Sequence, residues 1–508
     1  MIAVAFALAI WTTADLQWPC ESDFYRDMGA AQSILDGRVG TDPAYLGELG
    51  WYNPLQPVIV AGLSKVTGVS LHVLYARVGP YLNLLGPIGF YILTRRLVGA
   101  WPAMASLGAY LFVVNPSAPS WFQATYSPWA WPMNVTQGLC YLTLAAYDVA
   151  AETRSLWWNL LTGVLLGLTF LGHAAPALLI VGMLTLATAF APRGARLVAL
   201  RRYILLGAIS LVVASPFLLP LVARYRLHVL NPLPSEQSNF GLLYVARSLL
   251  GARTAFAAIG LVAVYRSADS KARSATLSLV ASSALLLAYN MTAQVLRDRG
   301  VARWPQAVPA YHFLLYWKAI EALLFGVGAT TVARWLTNRT ALVRNEQLAL
   351  VAMTALIVAL HLPGYLRGRE LATFRADSLA TNAEHDRIAL YDWLLAETRP
   401  DDVFLADLLT AFTTVAAADR KVVCIHDQSS SPYVSYDERL ADTQALYESL
   451  RTNDEAAFLR RASKYRLRFV VLADDTRYDW SRVPLERLGP PQVDMVFSAG
   501  RYRVYRLK

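Results

Sequence analysis

Apolar segments of helical length recur through the first 364 residues, and they restrict the fold of this chain more than any other feature. Of 508 residues, 56% are hydrophobic and only 16% are charged, whereas soluble domains carry roughly 25% charged residues. A membrane-spanning helix needs about 20 mainly apolar residues. The segments lie near Ile2–Ala14, Leu74–Leu93, Trp101–Val114, Met133–Tyr147, Trp157–Leu171, Ala175–Ala191, Tyr203–Val222, Ala255–Tyr265, Ala275–Tyr289, Phe313–Val332 and Leu348–Leu362. The sequence therefore predicts a polytopic α-helical membrane protein with about 11 transmembrane helices in residues 1–364.

The basic residues between these segments predict the orientation of the chain. Lys and Arg are enriched in the cytoplasmic loops of membrane proteins. The basic residues of alternate loops, which we place in the cytoplasm, are Arg95, Arg96, Arg154, Arg193, Arg196, Arg201, Arg202, Arg266, Lys271, Arg273, Arg334, Arg339 and Arg344. With eleven spans the N-terminus is then cytoplasmic and the end of the chain is extracytoplasmic. The net charge of +10 fits this topology, and no Lys/Arg run with interleaved aromatic residues indicates a nucleic-acid partner.

The character of the sequence changes after about residue 364, where charges become dense and apolar runs become short. The predicted helices are Asn382–Thr398, Asp437–Leu450 and Asp454–Tyr465, and the predicted strands are 403–406, 421–425, 468–473, 493–497 and 501–507. About 140 residues suffice for one domain with its own core. We therefore predict an extracytoplasmic soluble α/β domain in residues 365–508, after a membrane domain in residues 1–364.

An acidic and aromatic stretch follows the first apolar segment, in the predicted outer loop 15–53. Its sequence is ESDFYRDMGAAQSILDGR at 21–38, DPAYLGE at 42–48 and WYNPLQP at 51–57. Ser22 as an N-cap and Gly37 beyond the last turn predict a helix between them. Asp23 and Asp27 then share one helix face.

Two interpretations of this helix stay open, and both place its apolar residues, among them Phe24 and Met28, toward the membrane. In the first, the helix merely lies on the bilayer surface with its carboxylates in water. In the second, a carboxylate held above the bilayer acts as a general base on an acceptor hydroxyl. Carboxylates near hydrocarbon are energetically costly unless they have a functional role or pair with a positive charge. The presence of Asp23 and Asp27 here therefore requires one of these explanations.

The motifs Asp-x-Tyr-x-Asp-x-Gly-Ala, Asp-Pro-x-Tyr-x-Gly-Glu and Trp-Tyr-Asn-Pro-Leu resemble the first outer loop of the GT-C superfamily of membrane glycosyltransferases. The superfamily includes protein mannosyltransferases, aminoarabinose lipid A transferases and mycobacterial arabinosyltransferases. The resemblance implies a GT-C-like membrane domain, a polyprenyl-phosphate sugar as donor, and a glycan, lipid or protein as acceptor. It assigns the catalytic base to Asp23, with Asp27 as a helper or as the base itself. Because Phe24 replaces the second acid of the usual Asp-Asp or Asp-Glu pair, no cofactor is certain, and a divalent cation on Asp23 and Asp27 stays open.

Arginine residues on the predicted outer side are the candidates for holding the donor phosphate. A guanidinium binds phosphate through a planar fork, and positive groups stabilise a phosphate that leaves. The candidates are Arg247, Arg253, Arg297, Arg299 and Arg303. The alternative is that these side chains anchor lipid headgroups or pair with Glu236 and Asp298.

Four more residues are candidates for contacting a substrate. His312 begins the tenth apolar segment at its outer end, Lys318 lies deeper in that segment, and His173 lies in a tight outer turn. Tyr52 belongs to the Trp-Tyr-Asn-Pro motif. The alternatives are packing at the membrane interface for the histidines and, for Lys318, an ion pair with Glu321, three residues further on.

We therefore expect a glycosyltransferase of the plasma membrane that moves a sugar, with inversion, from a polyprenyl-phosphate donor to an extracytoplasmic acceptor in the cell envelope. Three cysteines are too few for a disulfide framework or a Cys-based zinc site, and no Gly-rich loop indicates a nucleotide-sugar donor. Two alternatives stay open. A lipid flippase or transporter predicts matching halves and charges inside its spans. A non-catalytic membrane scaffold with an outer sensory domain would not need Asp23, His312 or the outer arginines.

Overall fold

The structure, a computed structural model, describes residues 1–20, 22–231, 248–251, 253–301, 308–339, 345–483 and 493–508. It is mainly helical, with one small sheet near the end of the chain. The helices are α1 (Ile2–Thr13), α2 (Ser22–Leu35), α3 (Leu55–Thr67), α4 (Leu71–Arg77), α5 (Gly79–Leu82), α6 (Leu85–Val98), α7 (Ala100–Phe112), α8 (Pro132–Thr153), α9 (Leu156–Gly172), α10 (Ala174–Ala189), α11 (Arg196–Tyr225), α12 (Thr254–Tyr265), α13 (Ser270–Asp298), α14 (Tyr311–Arg339), α15 (Glu346–Arg367), α16 (Phe374–Asn382), α17 (His385–Glu397), α18 (Leu408–Thr410), α19 (Tyr436–Thr452) and α20 (Glu455–Tyr465). The strands are β1 (Val403–Leu405), β2 (Lys421–Val422), β3 (Leu467–Ala473), β4 (Val493–Ala499) and β5 (Tyr502–Leu507).

Helical structure lies at every predicted apolar segment, but few of these helices are long enough to cross a membrane alone. Those that combine sufficient length and apolarity are Arg193–Tyr225, Ala272–Leu296, Tyr311–Arg339 and Glu346–Asn382. Helices α3 and α4 are separated by a short break at which the chain bends by 116°, and the pair would form a fifth span if it is counted as a single helix. Others, such as the 12-residue α1, are shorter than the roughly 20 residues of a span. A multi-helix membrane protein is thus supported, and the count of eleven spans is not confirmed.

The chain divides into two compact units, and neither is one continuous stretch. The first unit contains Met1–Asp15, Arg77–Pro216 and Ser235–Ala376, and the second contains Leu16–Ala76, Phe217–Pro234 and Asp377–Lys508. Residues 16–53 of the predicted outer loop therefore belong to the same unit as the C-terminal α/β residues. The predicted domain boundary after residue 364 stays a prediction.

Aromatic side chains form the centre of the first unit. The ring of Phe90 stacks on Tyr110 at a centroid distance of 4.6 Å and meets the edge of Tyr141 at 5.5 Å. The hydroxyl of Ser106 donates a hydrogen bond of 2.9 Å to the carbonyl of Leu323, which joins α7 to α14. In a bilayer, where lipid is as apolar as these side chains, close packing and such interhelical bonds hold the helices together.

The second unit contains a five-stranded sheet in the order β2-β1-β3-β5-β4. Strand β1 pairs in parallel with β2 and β3, while β5 pairs antiparallel with β3 and β4. The side chains of Leu446, Phe458 and Val470 are buried together in its core. All five predicted strands and all three predicted helices of the α/β residues are confirmed. They could be distinguished because apolar residues recur with a different period in strands than in helices.

Helix α2 is packed inside the second unit, and it does not rest on a bilayer through its apolar side. Phe24 and Met28 are fully buried by protein, and Tyr25 meets the ring of Phe412 edge-to-face at 6.0 Å. The expectation that these apolar residues face the membrane is therefore wrong. The reason is that the C-terminal α/β residues supply the apolar surface against which α2 packs.

A methyl group at Gly29 should destabilise the second unit. A Cβ at this position would overlap the carbonyl oxygen of Ala416 and the ring of Pro43, whereas a Cβ at Gly62, on α3, would meet open space. We expect Gly29→Ala to lower the free energy of unfolding by about 2 kcal/mol or more, since overpacking against backbone cannot relax cheaply. Gly62→Ala is the matched control and should be neutral or slightly stabilising. Thermal unfolding of the two purified variants checks this, and equal stabilities would contradict the packing described for α2.

Candidate active site

Helix α2 carries two carboxylates and one arginine that form a single ionic cluster. The Nη1 atom of Arg26 lies 2.9 Å from Oδ1 of Asp23, and its Nε atom lies 2.9 Å from Oδ1 of Asp27. The helix begins at Ser22 and ends before Gly37, as predicted. The structure thus joins the two predicted catalytic carboxylates through Arg26, for which the sequence suggested no role.

The guanidinium of Arg26 is held from several directions. Its Cζ atom lies 3.3 Å from the centroid of the Tyr52 ring, a cation–π contact worth about 1–2 kcal/mol when desolvated. Burial disfavours its charge, but the carboxylates of Asp23 and Asp27 outweigh burial and raise the pKa of Arg26 above its ordinary value. Arg26 is therefore positively charged at any physiological pH. Tyr52, a predicted substrate ligand, contacts this arginine.

The two carboxylates differ in their access to solvent. The side chain of Asp23 is 39% exposed, and that of Asp27 is 1% exposed. Burial raises the pKa of Asp27 to about 6, although Arg26 acts in the opposite direction. The Oδ2 atom of Asp27 and the Nη2 atom of Arg26 are buried with no hydrogen-bond partner among the residues that the structure describes. Asp23 alone therefore offers a carboxylate oxygen that a bulky substrate can reach.

Arg26 and Asp27 line a cavity of about 40 Å³ in the second unit. Asp42, Trp51 and Tyr52 also line it. This volume suits one water molecule or one small polar group. A whole sugar ring does not fit inside.

One buried lysine and one solvent-exposed ion pair hold the loop that follows α2. Lys421 donates from Nζ to the carbonyl of Asp42 at 2.8 Å and pairs with Oδ1 of Asp419 at 2.6 Å. Arg38 pairs with Asp401 at 3.0 Å. Breaking a buried ion pair typically costs about 3–5 kcal/mol. The C-terminal α/β residues therefore hold this loop, and with it α2, in place.

The arrangement of the two carboxylates bears on the predicted divalent cation. Arg26 already supplies positive charge to both Asp23 and Asp27. Within the described residues, no group of three or more His, Cys, Asp or Glu side chains is placed to hold a metal ion. A cation on Asp23 and Asp27 stays a prediction.

A larger cavity, of about 270 Å³, lies in the first unit and holds two of the predicted substrate ligands. Arg253 and Lys318 line it together with Glu321, Gln123 and His361. If both bases and the acid are ionised, Arg253, Lys318 and Glu321 sum to one positive charge. Such a cavity favours an anion over a neutral or cationic group.

Backbone carbonyls and one carboxylate hold these two basic groups in place. Arg253 donates from Nε to the carbonyl of Val113 and from Nη1 to the carbonyl of Lys318, the latter at 3.2 Å. Lys318 pairs with Oε2 of Glu321 at 2.7 Å, the pairing that the sequence spacing suggested. The Thr254 hydroxyl donates to the other oxygen of Glu321.

The two predicted histidines lie side by side in the first unit. The rings of His173 and His312 are 4.6 Å apart between centroids. His173 accepts a hydrogen bond of 3.2 Å from the backbone of Ala175, and His312 contacts the sulfur of Met133. Neither histidine lines the cavity of Arg253. Their role in substrate binding stays a prediction.

The other predicted phosphate ligands take no part in either cavity as far as the structure describes them. Arg247 and Arg303 lie outside the described residues, and only the backbone of Arg297 is described. Arg299 is exposed in the turn that follows α13. Of the five arginines, the structure therefore places only Arg253 in a built site.

Solved structures of membrane glycosyltransferases have a similar fold. ArnT from Cupriavidus metallidurans, solved with undecaprenyl phosphate, aligns over 99% of this chain and 97% of its own length, with 13% identity and a TM-score of 0.58. The Archaeoglobus fulgidus oligosaccharyltransferase, solved with a tethered acceptor peptide, aligns over 93% of this chain and 68% of its own, with 13% identity and a TM-score of 0.57. The mycobacterial arabinofuranosyltransferase AftD aligns over 100% of this chain but only 40% of its own, with 14% identity and a TM-score of 0.51.

Likeness at such low identity concerns the fold. No family model and no curated protein matches the sequence. The three solved proteins are all glycosyltransferases of the GT-C superfamily, to which the outer-loop motifs also pointed. This chain shares the fold of these three solved proteins.

Proposed function

We propose that this protein is a membrane glycosyltransferase that moves a sugar from a polyprenyl-phosphate carrier to an extracytoplasmic glycan, lipid or protein. The observation that carries the proposal is the Asp23–Arg26–Asp27 cluster on a chain with the GT-C fold. ArnT was solved with undecaprenyl phosphate and the Archaeoglobus fulgidus oligosaccharyltransferase with a dolichol-phosphate, which supports a lipid phosphate as the carrier here. A scaffold without catalysis would gain nothing from a held, accessible carboxylate.

Asp23 is the general base in this proposal. The acceptor oxygen attacks the anomeric carbon while the bond from that carbon to the phosphate oxygen breaks. Asp23 takes the acceptor proton, the polyprenyl phosphate leaves as an anion, and the anomeric configuration inverts. Asp23 suits the role better than Asp27 because the base must meet two sugar-sized groups, and the cavity at Asp27 admits no ring.

Arg26 and Asp27 position the base. Asp27 holds Arg26 through Nε, and Arg26 holds one oxygen of Asp23 through Nη1, so the other oxygen of Asp23 is left for the acceptor. Because the base is already held in one orientation, no entropy is lost in orienting it during each turnover.

The donor phosphate binds to Arg253 and Lys318 in the cavity of the first unit. The two side chains supply the positive charge that stabilises a leaving phosphate, and Glu321 keeps Lys318 in one orientation. The cavity volume of about 270 Å³ accommodates a phosphate group with part of its sugar.

The direct test is transfer in a purified system. The full-length protein is placed in sealed lipid vesicles with polyprenyl-phosphate sugars that carry a radiolabel on the sugar, and with cell-envelope glycan, lipid and protein fractions as acceptors. We expect label to leave the lipid and appear on one acceptor class with inverted anomeric configuration. Movement of intact donor across the bilayer without cleavage would support the flippase alternative, and absence of both would leave neither function standing.

The proposed reaction requires residues 365–508 and Asp23 on the extracytoplasmic side. The asymmetry of basic residues between alternate loops predicts this orientation. We expect an alkaline phosphatase fused after Lys508 to be active and a green fluorescent protein at the same point to be dark in an oxidising periplasm. The reverse pattern would contradict the orientation.

Activity should fall as the pH drops through about 6. Burial raises the pKa of Asp27 to about 6, and protonation of Asp27 removes the charge that holds Arg26 against Asp23. We expect kcat/KM to decrease between pH 7 and pH 5 with a midpoint near 6. Asp27→Asn should be less active at pH 7, and its profile should lack this step.

The raised pKa of Asp27 affects stability in the opposite direction from activity. Loss of activity in acid can therefore be distinguished from unfolding. Folded Asp27 keeps its proton to a higher pH than an unfolded carboxyl, whose pKa is near 3.8. Its contribution to stability is therefore largest in acid and is lost as the pH rises through about 6. An acid step that coincides with thermal unfolding would contradict the assignment to Asp27.

A further inference from the structure

We propose that Glu370 positions the wall of the cavity at Arg253 and Lys318, and that binding of the donor phosphate depends on it. Glu370 is not among the described residues that line the cavity, so it acts through the loop that forms the wall. This inference rests on the proposed function and deepens it, because it adds a positioning residue to the phosphate site.

Loop 113–131, which joins α7 to α8, forms much of this wall. It supplies half of the described residues that line the cavity, among them Asn115, Ala118 and Gln123. The structure describes every residue of the loop and assigns none of them to a helix or a strand. The shape of the loop therefore depends on hydrogen bonds from side chains, because no regular backbone pattern satisfies its polar groups.

The amide of Gln123 closes the loop on itself. Its Nε2 atom donates to the carbonyls of Asn115 and Ala118 at 2.7 and 2.8 Å, and its Oε1 atom accepts from the backbone N–H of Asn115 at 2.9 Å. Because a side-chain amide has two N–H groups, these bonds use both of them. Gln123 therefore shapes the wall and leaves phosphate binding to Arg253 and Lys318.

Glu370 holds the same loop from outside, at three points. One of its carboxylate oxygens accepts from the backbone N–H of Ser120, and the other accepts from the hydroxyl of Ser127 at 2.7 Å. Its backbone carbonyl accepts from Nε1 of Trp129 at 2.7 Å. The residues two positions before and two positions after Ser120 both line the cavity. The bond to Ser120 therefore holds the part of the backbone that carries the wall.

Glu370 is itself held in place next to this loop. Its side chain is buried, and it lies on a single π-helical turn, Arg369–Thr373, that follows α15. The backbone N–H of Arg369 donates to the carbonyl of Pro116 at 2.8 Å, and Pro116 lines the cavity. Single π-helical turns are rare and occur frequently at functional sites. Arg369 and Glu370 thus both join this turn to the cavity wall.

A carboxylate suits this position because it accepts hydrogen bonds at both of its oxygens. Without it, the buried N–H of Ser120 and the hydroxyl of Ser127 lose their partner, and the loop must shift to find another. A shift of about 1 Å in a positioning element can cost roughly a hundredfold in function. The alternative is that Glu370 only stabilises the fold, in which case a folded variant would bind the donor phosphate normally.

Binding of undecaprenyl phosphate, the lipid with which ArnT was solved, to the full-length protein in nanodiscs tests the inference. We expect Glu370→Ala to raise the Kd about tenfold at a temperature at which the variant is folded. Glu370→Gln should stay within about threefold of wild type, because its amide still accepts from Ser120 and can donate to the oxygen of Ser127. Glu346→Ala is the matched control. It removes a partly exposed glutamate that pairs with Arg334 at 3.1 Å, and it should bind normally.

Normal binding by folded Glu370→Ala would overturn the inference. Equal losses in the Ala and Gln variants would also overturn it, since the charge and not the shape of the loop would then be decisive. If Glu370→Ala does not fold, Ser127→Ala removes one of the three bonds and decides the question. A loss of about threefold in that variant supports the inference, and unchanged affinity contradicts it.

Arg253→Ala distinguishes this inference from the proposed function. If Arg253→Ala weakens binding and Glu370→Ala does not, only the inference fails. If Arg253→Ala binds undecaprenyl phosphate as well as wild type does, the phosphate site of the proposed function fails, and this inference fails with it.

Discussion

Replacing Asp23 with Asn should lower the turnover number by about a hundredfold or more while donor binding survives. Asn keeps the shape of the side chain and still accepts from Nη1 of Arg26, but it cannot take a proton. Loss of a positioned general base typically costs a factor of about 10²–10⁴. Because the donor phosphate is assigned to other residues, the donor Kd should stay within about twofold of wild type. Single-turnover rates and donor binding in nanodiscs measure the two quantities separately.

Two further substitutions test whether the loss of turnover is specific to Asp23. Asp474→Asn removes a half-exposed carboxylate that pairs with Arg503 in the same unit, and it should leave turnover unchanged. Asp27→Asn should cost less than Asp23→Asn, since Asp27 acts through Arg26. If Asp27→Asn is the inactive variant and Asp23→Asn is nearly normal, the base lies one helical turn further along α2. If both variants stay active, the glycosyltransferase interpretation of this helix fails.

Local pattern was sufficient to predict most helices and strands. The apolar segments and the short strands such as β3 are recognisable because burial imposes a period on the sequence. The bounds of α2 were predictable from Ser22 and Gly37, although Ser22 is the first residue of the helix and not its N-cap. The number of spans could not be read from this pattern, because several apolar helices, such as the 12-residue α1, are shorter than a span requires.

The surroundings of α2 could not be predicted, because they depend on contacts between residues far apart in the chain. Lys421 and the carbonyl of Asp42 are 379 residues apart in sequence, and no local pattern records that they meet. The apolar side of α2 looked like a membrane-facing surface for the same reason. An apolar face shows that something covers it, and it does not show whether lipid or protein does so.

The role of Arg26 could have been inferred from the sequence, whereas the role of Arg253 could not. Arg26 lies three residues after Asp23 and next to Asp27, and the first of these spacings forms ion pairs on a helix. Arg253 was one of five equivalent arginines on the outer side. Only the packing of α7, α12 and α14, which encloses it with Lys318 and Glu321, distinguishes it from the others.

Arg253→Ala should weaken donor binding by roughly a hundredfold. Arg253 is almost fully buried, and removing a charge-assisted hydrogen bond from a desolvated site costs about 1.5–3 kcal/mol, or about 10- to 150-fold in Kd. Arg253→Lys keeps the charge but loses the planar fork, so we expect an intermediate loss. Titration of each variant with a polyprenyl-phosphate sugar in nanodiscs gives the affinities.

Structural damage is the main competing explanation, because Arg253 also donates to the carbonyls of Val113 and Lys318. Glu321→Gln distinguishes structural damage from the loss of a phosphate ligand. It removes a negative charge from the cavity and should tighten phosphate binding even if stability falls. Arg299→Ala, at the exposed turn after α13, should change neither affinity nor stability. If Glu321→Gln weakens donor binding as much as Arg253→Ala does, the three charges only hold the helices together, and the phosphate binds elsewhere.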